Sequence, residues 1–136
     1  MAGPSEQARE AVANSAETLV AMCNGISEAA GWWTDLSTGK TIHPRETPRL
    51  IPEKLCLIHS EISEAMEGHR KGLMDDKLPK REMLEVELAD AVIRICDLAG
   101  ALDLDLGGAI ADKLAYNLQR DDHKLAHRRA KGGKAY

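Results

Sequence analysis

The amino-acid sequence predicts an all-α fold, an antiparallel bundle of about four helices. Apolar residues recur at helical spacing along most of the chain, and no stretch shows the alternation typical of a strand. Aromatic residues make up only 3% and Phe is absent, so the core must be aliphatic, which suits packed helices. The length of 136 residues predicts one domain, residues 1–136. Its core spans about residues 14–130, and a flexible C-terminal tail follows.

Residues that favour helix ends delimit the four predicted helices. The helices cover approximately residues 5–30, 52–71, 79–99 and 105–130. Their starts are marked by Ser5, Pro52, Pro79 and Asp105. Glycines follow the first three: Gly31, Gly72 and Gly100. Short connections between the last three helices favour antiparallel neighbours.

A long irregular stretch separates the first two predicted helices. It runs from Trp32 to Arg49 and is rich in Gly, Thr and Pro. A loop of this length in a small domain is often functional. Trp32 and Trp33 stand at its entrance, where either could stack on a ligand or pack beneath the loop.

Charge and hydropathy exclude several classes of protein. The net charge is −4, so no global basic field attracts nucleic acid. No apolar run is long enough for a membrane span, and the N-terminus has no apolar signal core.

Cys23, Cys56 and Cys96 are odd in number and widely spaced, which predicts neither a disulfide framework nor a zinc site. We interpret Cys56 and Cys96 as small core residues, and reactive thiols are the alternative. The absence of a predicted disulfide framework favours a cytoplasmic protein.

The second predicted helix carries two carboxylates on one face. Glu61 and Glu64 are three residues apart, about one turn. An apolar stripe runs along the same helix through Leu55, Ile58, Ile62 and Met66.

The third predicted helix is apolar nearly all round, apart from one narrow polar strip. The strip consists of Glu87, Asp90, Arg94 and Asp97. A helix of this kind should be buried, and buried carboxylates need partners or a metal ion. The two acidic pairs, on neighbouring antiparallel helices, can converge on one point.

A hard divalent cation would relieve the repulsion among Glu61, Glu64, Glu87 and Asp90. Oxygen ligands favour Mg²⁺, with Mn²⁺ as a possible substitute. The alternative is ordinary surface Glu residues paired with Lys and Arg. A di-metal oxidase bundle is disfavoured, because neither histidine of the second helix completes a Glu-x-x-His motif.

The fourth predicted helix carries complementary charge. Lys113, Asn117 and Arg120 follow at spacings of four and three, and so share one face. A cation, an amide and a guanidinium in line suit a polyphosphate chain. A solvated basic face is the alternative.

Three segments together resemble the MazG-like all-α nucleoside triphosphate pyrophosphohydrolases. They read IHSEISEAMEGHRKG, EVELADAVIRICDLAG and KLAYNLQR. The two acidic pairs match the family's two acidic motifs across a spacer of 22 residues, and the Lys-Asn-Arg run matches its last helix. The resemblance covers roughly Gly31 to Arg120. Ser60 departs from the family pattern, which often has Glu there.

The resemblance implies Mg²⁺-dependent hydrolysis of a (deoxy)nucleoside triphosphate to the monophosphate and pyrophosphate. Glu61 or Glu64 would accept the proton of the attacking water, and Lys113 and Arg120 would hold the phosphates. Asn117 would orient phosphate or sugar. A non-enzymic helical interaction module and an alarmone hydrolase remain the alternatives.

The apolar surface predicts assembly. Four helices, one of them apolar on nearly all faces, carry too much apolar surface for an isolated chain of this size. We expect a homodimer or homotetramer, with the active site at or near a subunit interface.

Overall fold

The computed structural model describes residues 4–134, which form an all-helical chain. The α-helices within this range are α1 Glu6–Ala29, α2 Leu50–Lys71, α3 Met83–Ala101, α4 Leu106–Gln119 and α5 Leu125–Arg129. A short 3₁₀ helix, Asp121–His123, lies between the last two. The described residues contain two isolated β-bridges and no longer strand, so the predicted all-α class is confirmed. No helix among them is long and apolar enough to cross a membrane.

The chain divides into two compact units. The central unit is Thr18–Leu104 and holds α2 and α3. The terminal unit comprises the described residues of Met1–Glu17 and Asp105–Tyr136. Helix α1 contributes residues to both units.

Side-chain and glycine caps set several helix ends where the sequence predicts them. Ser5 Oγ accepts a hydrogen bond from the Ala8 amide at 3.2 Å, and the Asp105 carboxylate accepts one from the Gly108 amide at 2.8 Å. Helix α2 ends at Gly72, which adopts the left-handed conformation with φ 61°.

The third helix begins later than predicted, at Met83 instead of Pro79. The preceding segment folds on itself, because the buried Asp75 carboxylate accepts hydrogen bonds from the amides of Lys77 and Leu78. A bridge between Met74 and Glu82 closes this loop. Local side-chain to backbone bonding therefore replaces the first predicted helical turn.

The fourth helix is shorter than predicted: it ends at Gln119, so the predicted continuation to residue 130 is wrong. Arg120 is extended, with φ −70° and ψ 131°, and its guanidinium binds both oxygens of Asp122 at 2.9 and 2.6 Å. Lys124 pairs with Asp121 at 2.6 Å. These local ion pairs, together with the low helix propensity of adjacent aspartates, break the helix. The predicted flexible tail begins at residue 131 and its last two residues lie outside the described range.

Helices α2 and α3 form an antiparallel pair in the central unit. A side chain at Gly68, near the end of α2, would collide with Met83 at the start of α3. At the other end of the pair, Leu50 packs against the apolar cluster that contains Leu98 and Leu102. The order of contacts along α2 is thus the reverse of that along α3, as predicted for neighbouring helices.

The residues of α2 that are buried are not those of its most apolar stripe. They are Glu61, Ala65 and Gly68, at spacings of four and three, and we call them the buried stripe of α2. The members of the predicted apolar stripe, except the half-buried Ile58, are exposed: Leu55, Ile62 and Met66. Small residues at the contact let α3 approach closely, which places a carboxylate between the helices.

Helix α3 is only partly covered. Its exposed large apolar residues are Leu88, Val92, Ile93 and Ile95. The prediction that α3 is buried on all sides is therefore wrong for the single chain. A chain of this length supplies too few neighbours to cover every face of one helix.

The cysteines divide between core and surface. Cys96 is buried, as predicted, and burial together with the neighbouring Cys23 raises the pKa of its thiol. Cys56 is exposed, so its prediction as a core residue is wrong. It lies on α2 away from the buried stripe.

Gly107 offers a direct test of packing in the terminal unit. A Cβ at this position would meet the backbone oxygen of Ala13, which cannot move aside without shifting α1. We expect Gly107→Ala to lower the free energy of unfolding by about 1–3 kcal/mol through overpacking. Urea titration followed by circular dichroism measures the change.

The matched control is Gly25→Ala in α1, where an added Cβ meets nothing within 4 Å. This substitution should raise stability by about 0.5–1 kcal/mol, because alanine loses less entropy than glycine in a helix. Equal effects at the two positions would contradict the packing described.

Candidate metal centre

Three carboxylates converge between α2 and α3. Glu61 comes from the buried stripe of α2, and Glu87 and Asp90 come from one face of α3, three residues apart. One oxygen atom from each lies within 4.8 Å of the other two. We call this set the acidic group.

Glu64, the fourth predicted ligand, lies beside the acidic group but is not part of it. Its side chain is exposed one turn beyond Glu61 on α2. Its charge nevertheless reaches Glu87 and helps to raise the pKa of that residue. Of the four predicted carboxylates, the structure therefore brings three together and leaves Glu64 at the rim.

Burial and mutual repulsion disfavour negative charge in the acidic group. Burial is the largest cause that raises the pKa of Glu87, to about 7. A hydrogen bond with Glu61 and the nearby charges of Glu64, Glu61 and Asp90 add to this effect. Burial and the charge of Glu61 also raise the pKa of Asp90, which Arg94 partly opposes.

An ion pair compensates part of this charge. Arg94 Nε lies 2.5 Å from Glu61 Oε1. The Glu61 side chain is only 8% exposed, whereas the Arg94 side chain is 43% exposed. The sequence places Arg94 in the polar strip of α3, but its pairing with α2 depends on the helix packing and was not predicted.

The donor set suits a hard divalent cation. It offers only carboxylate oxygens, which Mg²⁺ and Mn²⁺ prefer, and it contains no thiol or imidazole. Glu87 is nearly buried and shares its hydrogen bond with another carboxylate. A cation would relieve this crowding, so the residues present fit such a metal.

Asp97, the last member of the polar strip, has a structural role. Its buried carboxylate accepts hydrogen bonds from Trp33 Nε1 at 2.7 Å, Ser27 Oγ at 3.0 Å and Asn24 Nδ2 at 3.1 Å. These bonds satisfy a carboxylate that would otherwise be costly to bury. They tie the loop after α1 to α3.

The two tryptophans have different environments. Trp33 is only 2% exposed and belongs to the apolar core, with Lys54 Nζ 4.5 Å from its ring centroid. The packing alternative therefore describes Trp33. Trp32 is 71% exposed and stands free to meet a ligand.

A cleft of about 530 Å³ adjoins the acidic group. Asp90, Arg94 and Trp32 form part of its lining. Apolar side chains also line it, among them Ile26, Leu57 and Ile93. A cleft with an aromatic ring, apolar walls and a few charged groups is typical of a site for a small organic ligand.

The three predicted phosphate ligands lie in the terminal unit. Lys113 Nζ is 4.8 Å from the Tyr116 ring centroid. Asn117 has a buried side-chain oxygen without a hydrogen-bond partner among the described residues. Arg120 lies beyond the end of α4 and pairs with Asp122, whose pKa falls to about 2 chiefly because of that hydrogen bond. Lys113 and Asn117 thus lie on α4, whereas Arg120 lies just after its end and is extended.

No family model, curated protein or solved structure matches this chain. The resemblance to the MazG-like enzymes therefore depends on the motifs themselves.

The raised pKa of Glu87 predicts a pH dependence of stability without metal. In the folded chain Glu87 keeps its proton up to about pH 7, but the unfolded chain loses it near the ordinary value of 4.5. The folded state then binds more protons, so stability falls as pH rises through this window, by on the order of 1–3 kcal/mol. Chemical denaturation with a chelator present, from pH 5 to pH 8, measures the fall.

Glu87→Gln should flatten this profile and be the more stable protein at pH 8. Glu85→Gln is the control, since Glu85 lies on the same helix but pairs with Arg81 in an exposed ion pair. Parallel profiles for wild type and Glu87→Gln would show that Glu87 does not carry the effect.

Proposed function

We propose that this chain is a Mg²⁺-dependent nucleoside triphosphate pyrophosphohydrolase of the MazG-like kind. It would convert a (deoxy)nucleoside triphosphate to the monophosphate and pyrophosphate. The observation that carries the proposal is the convergence of Glu61, Glu87 and Asp90 between two antiparallel helices. The motif resemblance and the adjoining cleft add support.

Glu61, Glu87 and Asp90 would hold the cation, with Glu64 close enough to contribute. When bound, Mg²⁺ or Mn²⁺ would neutralise phosphate charge and orient a water molecule for in-line attack. Glu64 is the better placed of the two candidate bases, because it is exposed beside the acidic group whereas Glu61 is buried and paired with Arg94. Its carboxylate would accept the proton of the attacking water.

The cleft supports binding of the nucleoside part of the substrate. Trp32 offers an exposed ring for stacking, and the apolar walls exclude water from a base. Lys113, Asn117 and Arg120 keep their proposed role as phosphate and sugar ligands. Of these, Lys113 is the most available: its ammonium group lies over the Tyr116 ring, whereas the Asn117 side-chain oxygen is buried and Arg120 pairs with Asp122.

A homodimer or homotetramer fits the distribution of apolar side chains. Many large apolar residues are exposed on α2 and α3, among them Leu55, Ile62, Met66, Val92 and Ile95. Exposed large apolar side chains in such number on two neighbouring helices favour an interface between proteins. We propose that copies of this chain cover it, in a cytoplasmic protein.

A non-enzymic helical interaction module is the second candidate. The ion pair between Arg94 and Glu61 favours it, because this pair compensates part of the acidic group without a metal ion. In that case divalent cations would leave stability unchanged. An alarmone hydrolase would use the same carboxylates on a different substrate.

Substitution of the acidic group tests the enzyme proposal. Glu87→Gln and Asp90→Asn should each lower kcat/KM more than about tenfold, a loss above 1.4 kcal/mol, with helical content unchanged. Release of pyrophosphate from the common dNTPs and NTPs with Mg²⁺ gives the rates. Mg²⁺ should also raise the melting temperature of wild type, because it binds the folded state alone.

Glu85→Gln again serves as the control and should retain full activity. If either acidic-group variant kept wild-type turnover, these carboxylates would not be metal ligands in the reaction.

Comparison of Trp32→Ala with Lys113→Ala tests which residue contacts the base and which contacts the phosphates. Trp32→Ala should change the order of preference among bases, since it removes a stacking surface. Lys113→Ala should weaken all nucleotides alike, since every one carries the same phosphates. The measurement is kcat/KM for four dNTPs.

Leu36→Ala, at a residue of the same loop that is 90% exposed, should leave both properties intact. A change of base preference in Lys113→Ala at undiminished overall efficiency would invert the two assignments.

A further inference from the structure

Arg94 stands at the junction of the acidic group and the cleft. Its Nε donates a hydrogen bond to the buried Glu61, and its half-exposed side chain forms part of the cleft wall. Asp90, one turn earlier on α3, belongs to both features. One guanidinium therefore borders the proposed cation site and the proposed ligand site.

We propose that Arg94 is the resident counter-cation of the acidic group, and that it releases Glu61 when a divalent cation binds and then contacts a phosphate oxygen in the cleft. The inference rests on the proposed function, because it requires a cation and an anionic ligand. It assigns to α3 a phosphate contact separate from those proposed for α4.

Electrostatics drives the release. A guanidinium and a divalent cation that share Glu61 would repel each other strongly at such short range. The Arg94 side chain is already 43% exposed and can therefore leave Glu61 without disturbing the core, while the bound cation would balance the charge of the buried Glu61. Competition for one carboxylate therefore favours one cation at a time.

Two acidic side chains line the cleft, Asp90 and Asp97, and Asp90 would be engaged by the bound cation. Lys54, the other basic residue of the wall, lies over the Trp33 ring. The carboxylate of Asp97 already accepts hydrogen bonds from Trp33, Ser27 and Asn24. A phosphate group matches the planar fork of a guanidinium, with two parallel hydrogen bonds.

This arrangement couples the two ligands. Arg94 weakens binding of the cation alone, since the cation must displace it from Glu61. Once displaced, Arg94 strengthens binding of the phosphate. Cation and phosphate should therefore bind with positive cooperativity, which is reciprocal.

Binding of Mn²⁺ to the full chain, followed by electron paramagnetic resonance, tests the first half. Arg94→Gln should bind Mn²⁺ alone about fivefold more tightly than wild type, because the competing ion pair is gone. The control is Arg81→Gln. Arg81 lies just before α3 and forms an exposed ion pair with Glu85, so this variant should bind Mn²⁺ with the affinity of wild type.

Binding of inorganic tripolyphosphate at saturating Mn²⁺ tests the second half. Arg94→Gln should bind it about tenfold more weakly than wild type, because one charge-assisted contact is lost. Arg81→Gln should bind it as wild type does.

A measurement on the wild-type protein avoids any effect of the substitutions on folding. The ¹⁵N signal of the Arg94 Nε should shift when Mg²⁺ saturates the protein.

An unmoved signal, or Mn²⁺ affinity in Arg94→Gln no higher than in wild type, would overturn the inference and leave the metal site in place. Equal binding of tripolyphosphate would overturn it as well. If neither protein bound Mn²⁺, both the inference and the proposed function would fall.

Discussion

Crowding of negative charge between α2 and α3 is the constraint on which the site depends. One carboxylate oxygen each of Glu61, Glu87 and Asp90 lies within 4.8 Å of the other two, and Glu61 and Glu87 are buried. Three charges cannot coexist there without compensation. Arg94 supplies one compensating charge, and burial with the neighbouring carboxylates raises the pKa of Glu87, which favours its protonated form. A divalent cation would be a further compensation and could replace both.

Close packing of the helices creates this crowding. Gly68 leaves no room for a side chain against Met83, and Ala65 continues the same buried stripe. Larger residues at these positions would separate the helices and the carboxylates with them. The stripe that builds the interface is thus made of small residues and one acid, while several large apolar residues of α2, among them Leu55, Ile62 and Met66, are exposed.

One strip of α3 serves two purposes. Glu87 and Asp90 enter the acidic group, whereas Asp97, two turns further on, binds Trp33 and two side chains of α1. The hydrogen bonds of Asp97 fix the start of the loop after α1, where Trp33 is buried in the core and Trp32 is exposed. A structural carboxylate and candidate functional ones therefore share one helix face, and their partners distinguish them.

Features governed by local chemistry could be predicted from the sequence. The caps at Ser5 and Asp105 and the end of α2 at Gly72 follow from residue type and position. The pairing of the two acidic helices followed from their spacing and short connection. The late start of α3 and the early end of α4 could not be predicted, because the hydrogen bonds of Asp75 with backbone amides and the ion pair of Arg120 with Asp122 override helical periodicity there.

Features governed by long-range contact were harder to predict. Periodicity identifies an apolar face but not what covers it, so the exposure of Val92 and Ile95 was missed. The sequence likewise shows that Glu61 and Arg94 lie on polar positions, but not that they meet. Their ion pair depends on the relative rotation of two helices, which residue spacing alone does not determine.

Anomalous diffraction from crystals grown with Mn²⁺ would locate the cation directly. We predict a manganese peak coordinated by oxygens of Glu61, Glu87 and Asp90, with Glu64 nearby. The absence of a peak between these residues at saturating Mn²⁺, with Glu61 still paired with Arg94, would show that the acidic group holds no metal ion.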